Sequence, residues 1–207
     1  MNDKRKRVCP TEIAWTLDNW IRRWLHNPRK ILGPFVERGM KVLDLGCGPG
    51  FFSIELADMV GDSGYVIASD IQEGMLQKLR GKIQGTELEK RIKLHQSKVD
   101  RIGVLEEVDF VLAFYMVHEV SNQKEFFNEI KSILRPKGLI FLVEPKLFHV
   151  SKKEFEETIR TAEEIGFETI EKPELFFSWS VVLRNGSLSL SPDVIPPPVS
   201  LRGTSGK

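Results

Sequence analysis

Cysteine is scarce, with Cys9 and Cys47 the only two in 207 residues. One lies near the terminus and the other in a glycine-rich loop, which excludes a disulfide framework and points to a reducing cytoplasm. Histidine is nearly as rare: four scattered residues, making with the cysteines no metal-ligand spacing, so no metal is expected. Long apolar runs are absent. The longest, Phe110–Val117, falls well short of the roughly 20 residues a membrane helix requires. The basic start Lys4-Arg5-Lys6-Arg7 lacks the apolar stretch of a secretory signal and is expected to be a solvated terminus. Formal net charge is +1, so no global field recruits nucleic acid or an anionic membrane. A cytoplasmic protein is expected. No internal repeat is present, and the sequence sets no oligomeric state.

What is there is an ordinary globular mixture, 41% apolar and 29% charged, long enough for one sizeable core. From Lys41 onward short apolar runs alternate with helical spacing. Strands are expected over Val42–Leu45, Tyr65–Ala68, Arg91–His95, Phe110–Phe114 and Leu139–Val143. Helices are expected over Phe51–Val60, Met75–Ile83, Phe126–Leu134 and Glu154–Ile165. The third helix is stopped by Arg135-Pro136-Lys137-Gly138. Two closing strands, Phe167–Glu171 and Phe176–Leu183, have only the turn Lys172-Pro173-Glu174 between them. The pattern predicts an α/β fold: an open, doubly wound, seven-stranded, mostly parallel sheet ending in an antiparallel hairpin.

Three segments follow. Residues 1–40 form an N-terminal helical cap, centred on an amphipathic stretch Thr11–Leu25 that carries Trp15, Trp20 and Trp24. Residues 41–186 form the core domain, and residues 187–207, with Pro192, Pro196, Pro197 and Pro198, a flexible tail. Trp15 is rotated about 140° from Trp20, so tryptophan lies on more than one helical face. The helix covers either the sheet or the cleft above it.

The sharpest motif is Val42-Leu43-Asp44-Leu45-Gly46-Cys47-Gly48-Pro49-Gly50, a strand that runs into a glycine turn and opens a helix. Ligands bind at the carboxyl ends of strands in such sheets. A dinucleotide fingerprint would put its third glycine where Phe51 stands; here it comes one residue early, at Gly50. Asp44 would repel a pyrophosphate and suits a ligand with an ammonium group. Asp70 ends the second strand, where a carboxylate can accept from both ribose hydroxyls. An NAD-linked oxidoreductase is therefore disfavoured.

Val42–Gly50 resembles the first motif of class I S-adenosylmethionine-dependent methyltransferases, and Asp70-Ile71 their acidic second motif. Phe114-Tyr115-Met116-Val117-His118-Glu119-Val120 and Ile133-Leu134-Arg135-Pro136-Lys137-Gly138-Leu139 resemble segments of the ubiquinone/menaquinone-methyltransferase-like group. Lys137 stands where that group usually has a glycine. The resemblance covers about Lys41 to Glu144. It implies S-adenosylmethionine as cofactor, held by Asp44, Gly46, Cys47, Gly48, Gly50, Asp70, Ile71, Met75, Lys98, Val99 and Phe114. The group usually places an acid where Lys98 stands, and a lysine cannot accept from the adenine amino group. Ser97 or a backbone carbonyl takes that contact, or the alignment shifts by one. His118, with Glu119 beside it, is the candidate general base. The alternative is that His118 packs beneath the cofactor or caps the next helix. Methyl transfer to an acceptor follows, a small molecule before a protein. A cofactor-binding protein of this fold without catalysis is the rival.

Overall fold

The computed structural model describes residues 27–146 and 150–186. The expected helix Thr11–Leu25 and the proline-rich tail from residue 187 lie outside the described residues.

Twelve elements follow in order: α1 (Pro28–Leu32), β1 (Lys41–Leu45), α2 (Phe51–Val60), β2 (Tyr65–Asp70), α3 (Glu73–Ile83), β3 (Ile92–Gln96), β4 (Val108–Phe114), α4 (Gln123–Ile133), β5 (Leu134–Pro145), α5 (Lys152–Glu164), β6 (Phe167–Glu171) and β7 (Ser178–Asn185). Short 3-10 turns occupy Glu87–Lys90 and Val117–Glu119. The seven strands form one sheet in the order β3-β2-β1-β4-β5-β7-β6. All neighbours through β5 pair in parallel, while β7 pairs antiparallel with both β5 and β6. The reversed strand of the hairpin thus lies inside the sheet, and β6 forms the edge.

Period-two alternation divides the core into two layers. Leu43, Leu45, Val111, Ala113, Ile140 and Leu142 face α4 and α5, meeting Phe127, Ile130, Phe155 and Ile159. Val42, Val66, Ala68, Phe110, Leu112 and Phe141 face α2 and α3, meeting Phe52, Leu56, Leu76 and Leu79. Leu32 and Val36 belong to this second layer, so residues 28–36 fold with the domain, ahead of the boundary expected at residue 40. Asn27, whose side chain accepts from the Lys30 amide at 3.2 Å, starts that helix.

Several expected boundaries move by a few residues, and two of the shifts have a visible cause. Strand β7 begins at Ser178 because Phe176 and Phe177 form the turn before it, with Phe177 at φ 49°. Strand β5 begins already at Leu134, paired with Val108, and bulges over residues 135–138 before pairing resumes at Phe110 with Leu139. Asn185 donates to the Leu134 carbonyl at 2.6 Å and pins the bulge. Within it exposed Lys137 sits at φ 67°, a left-handed conformation that costs a non-glycine residue about 1–2 kcal/mol. Lys137→Gly is expected to stabilise the fold by about 0.5–1 kcal/mol, glycine's freedom in the unfolded chain offsetting part of the relief. A urea midpoint no higher than the parent's would contradict it.

Candidate active site

The chain leaves β1 toward one edge through β2 and β3, then returns to place β4 on the other side of β1. The carboxyl ends of β1 and β4 therefore flank the switch-point crevice. The glycine loop after β1 stands at its mouth.

That loop is tied down from inside. Cys47 donates its amide to the Ser69 carbonyl at 3.0 Å, and Gly50 donates to the Cys47 carbonyl at 3.0 Å. Gly50, at φ 88°, caps α2. A Cβ on Gly46 would stand 3.0 Å from the Met116 Cβ, so glycine lets the loops after β1 and β4 approach each other closely. A Cβ on Gly48 would meet nothing within 4 Å. The loop surface there faces open space, where a ligand can lie against backbone.

Two buried carboxylates bracket the loop. Asp44 follows Val42 at strand spacing and so faces α2, where the Ser53 hydroxyl donates to its Oδ2 at 2.5 Å. Asp70, on the same face of β2, accepts from the Gly48 amide at 2.9 Å and from the Gln72 amide at 2.9 Å. One carboxylate thus joins the first loop to the second. Burial pushes the Asp70 carboxyl above its usual value, while the amides of Gln72, Gly48 and Ile71 act in the opposite direction. Burial pushes the Cys47 thiol well up, and the charges of Asp44 and Asp70 add to it. Its side chain packs in the α2 layer, so Cys47 reaches a ligand only through the loop backbone it shapes.

The remaining expected residues divide. Ile71 is half-buried beside Asp70. Met75 is buried in the first turn of α3. Phe114 ends β4 as a core ring, 4.4 Å from the Phe52 centroid. Lys98 and Val99 lie exposed beyond β3, where Lys98 pairs with Arg101 in a short backbone bridge. The Ser97 hydroxyl turns away from that exposed loop, toward Ser69 Oγ at 2.5 Å and the Ile102 carbonyl at 3.1 Å.

His118 pairs with a residue the sequence did not join to it. Its Nδ1 lies 2.5 Å from Glu144 Oε2, and its backbone amide donates to Glu144 Oε1 at 3.1 Å. Glu144 sits near the end of β5, at the strand spacing of Ile140 and Leu142, and therefore faces the 3-10 turn that carries His118. The carboxylate expected beside His118 was Glu119. Adjacent residues of a helical turn do not face each other, and sheet register supplied the partner instead. The available signal was an acid ending the otherwise apolar run Leu139–Val143, since a charge in such a place requires a partner.

These observations define a nucleoside-binding α/β domain of the class I methyltransferase type. The chain belongs to the methyltransferase domain family, whose profile matches residues 36–176. It is 34% identical over 110 residues to a demethylmenaquinone methyltransferase of Lactobacillus johnsonii, covering 53% of this chain and 45% of that protein. It is 27% identical over 110 residues to the ubiquinone/menaquinone biosynthesis C-methyltransferase UbiE of Haemophilus ducreyi, covering 53% of this chain and 42% of that protein. The chain thus spans less than half the length of these two relatives. A SAM-dependent methyltransferase from Aquifex aeolicus superposes with a TM-score of 0.77 at 27% identity, covering 86% of this chain and 99% of that one. S-adenosylmethionine is the cofactor of this class. The residues fit it: two buried carboxylates suit a ribose diol and an ammonium, and Gly48 leaves the backbone open between them. Among the described residues no helix is long and apolar enough to cross a membrane.

Proposed function

We propose that this chain transfers a methyl group from S-adenosylmethionine to a small-molecule acceptor at the carboxyl end of the sheet, in the cytoplasm. The observation that carries this reading is the glycine loop, open over Gly48 and bracketed by Asp44 and Asp70. S-adenosylmethionine, when bound, supplies a methyl carbon made electrophilic by its sulfonium.

Asp70 accepts from the ribose hydroxyls with lone pairs not engaged by the Gly48 and Gln72 amides, and Ile71 lies beside the nucleoside. Asp44 sets a negative charge behind the loop where the amino-acid ammonium lies. Gly46, Gly48 and Gly50, with the Cys47 backbone, shape the close approach, and Phe114 and Met75 support it from below. The Val99 backbone is left for the adenine edge, because Ser97 is held inward and Lys98 exchanges backbone hydrogen bonds with Arg101. The named relatives favour a ring-bearing small molecule over a protein side chain. Near-neutral charge argues against nucleic acid. Displacement on a sulfonium requires alignment more than acid or base, so the scaffold's first task is to hold both partners in line.

Titration calorimetry tests the reading. S-adenosylmethionine and its demethylated product are each expected to bind one site per chain, with no competition from NAD. Absence of heat with both sulfur ligands, in protein that melts cooperatively, would end it.

A further inference from the structure

We propose that Phe176 and Phe177 form the platform that recognises the methyl acceptor, and that they select one bearing a flat aromatic ring. The proposal deepens the methyl-transfer reading above and rests on it for what lies in the crevice.

The turn that carries the two rings runs against their backbone preferences. Ser178 closes it by donating its amide to the Leu175 carbonyl at 3.2 Å, which leaves Phe176 and Phe177 at its two central places. Glycine, asparagine or aspartate usually fills such a place when φ is positive. Phe177 stands there at φ 49°, a strained conformation for a residue with a side chain. Burial does not offset the strain. The two residues are 56% and 54% exposed, and neither ring joins either layer of the core. They meet each other instead, with centroids 4.2 Å apart and planes at 73°. Strain held without a packing gain is a mark of a functional place.

The position of the turn gives that function. Ser178 pairs with Pro145, so the turn stands at the carboxyl end of β5. The Lys146 amide donates to the Phe177 carbonyl at 2.9 Å and ties it there. A second tie reaches β4. The Ser178 hydroxyl donates to the Phe176 carbonyl at 3.1 Å, so its oxygen accepts from the Tyr115 hydroxyl, at 2.5 Å. Tyr115 follows directly on β4 and also has positive φ, at 60°. Among the described residues only three non-glycine residues do, and two of them are aromatic residues joined here through one serine. Tyr115 is thus a positioning residue for the turn.

Sheet order then assigns the occupant. Asp70 on β2 and Asp44 on β1 draw the cofactor over those strands, and next in order come β4, β5 and β7. An acceptor in line with the sulfonium lies on that side. The turn at the start of β7 is two strand spacings from β4, roughly 10 Å, within reach of the far part of a ring-bearing molecule. The neighbouring cation is turned elsewhere: Lys146 Nζ lies 4.6 Å from the centroid of the Trp179 ring, which packs against the α4 and α5 layer. Ring faces and edges remain, and these attract another ring beyond simple apolar contact.

NMR of the whole chain with ring-labelled phenylalanine tests this, with Phe176→Leu and Phe177→Leu assigning the two resonances. The probes are 2-naphthol and its saturated counterpart, decahydro-2-naphthol, each added in the presence of the demethylated cofactor. 2-Naphthol is expected to shift both resonances saturably and to bind roughly 2- to 12-fold more tightly than the saturated probe. Each leucine variant should lose roughly that factor on 2-naphthol alone, and Phe176→Tyr should keep it. Tyr115→Phe removes only the hydroxyl. It is expected to move both resonances before any probe is added and to weaken 2-naphthol by roughly 2- to 12-fold. Should a leucine variant not melt cooperatively, asparagine, which accepts the left-handed conformation, replaces it at that place with the same expected loss. Unshifted resonances, equal affinity for the two probes, or equal losses on both in the variants overturn the platform. Resonances unmoved in Tyr115→Phe overturn its positioning role. Calorimetry with S-adenosylmethionine is run on every variant and should give the parent's affinity. Absence of heat in the parent would sink the methyl-transfer reading, whereas the ring titration reads Phe176 and Phe177 directly and decides the platform in either case.

Discussion

Asp70→Ala is expected to weaken S-adenosylmethionine binding by about 1.5–3 kcal/mol, roughly 10- to 150-fold. The side chain has two duties. It offers a charged acceptor to the ribose hydroxyls, and it holds the Gly48 and Gln72 amides in place. Alanine removes both, leaving two loop amides to find water. Calorimetry gives the affinity and a thermal melt shows whether the fold survives. Unchanged binding in a folded variant would place the ribose elsewhere.

The pH dependence of the parent tests the same contact. Burial raises the Asp70 carboxyl above its ordinary value of 3.8. Only the ionised form accepts from both hydroxyls, so affinity should fall as pH drops through that raised value, before ordinary carboxylates protonate. The effect on folding has the opposite sign. The folded state binds this proton more tightly than the unfolded chain does, so this group's contribution to stability grows as pH falls through the window and is lost as pH rises through it. Binding should therefore weaken without any loss of apo stability caused by Asp70. In Asp70→Ala the affinity should be flat over that range.

Gly50→Ala is expected to destabilise the fold by about 2–5 kcal/mol. Two causes add. At φ 88° a side chain is strained, by about 1–2 kcal/mol. The new methyl would collide with Leu79 Cδ1, inside a core where Leu79 is fully buried, an overpacking of about 1–3 kcal/mol. Leu79→Ala alone should cost about 2–5 kcal/mol through its cavity. Combined with Gly50→Ala it should cost less than the sum, by at least about 1 kcal/mol, because each change relieves the other. Denaturant unfolding of the two single variants and the double variant measures this coupling. Strict additivity would mean that the loop does not rest on α3 at Leu79.

The elements most readily legible in the sequence were those whose causes lie within a few residues. Val42–Leu45 and Phe110–Phe114 are short apolar runs that only strands covered on both faces explain, and both are strands. Helix α2 spans the expected Phe51–Val60 because glycine stands on either side of it. The antiparallel pairing of β6 with β7 follows from a βα series that ends without a helix between its last two strands, whereas the insertion of β7 between β5 and β6 does not. The bulge at residues 135–138 was less legible. It read as a helix stop, and only the pairing of Leu134 with Val108 makes it part of a strand.

By itself the sequence determined that a glycine turn follows the first core strand, with an acid before it and another ending the next strand. Those features are local, since the turn needs glycine's backbone and each acid occupies a fixed place on its own strand. Tertiary structure decided what each acid does. Asp44 faces α2 and Ser53, and Asp70 joins two loops, because alternation along a buried strand chooses the face and the neighbouring helix chooses the partner. The same holds for His118. Its sequence neighbour is Glu119, yet its ring meets Glu144, 26 residues away. The parallel register of β4 on β5 sets the distance between a turn and a strand end, and no spacing within either segment encodes it.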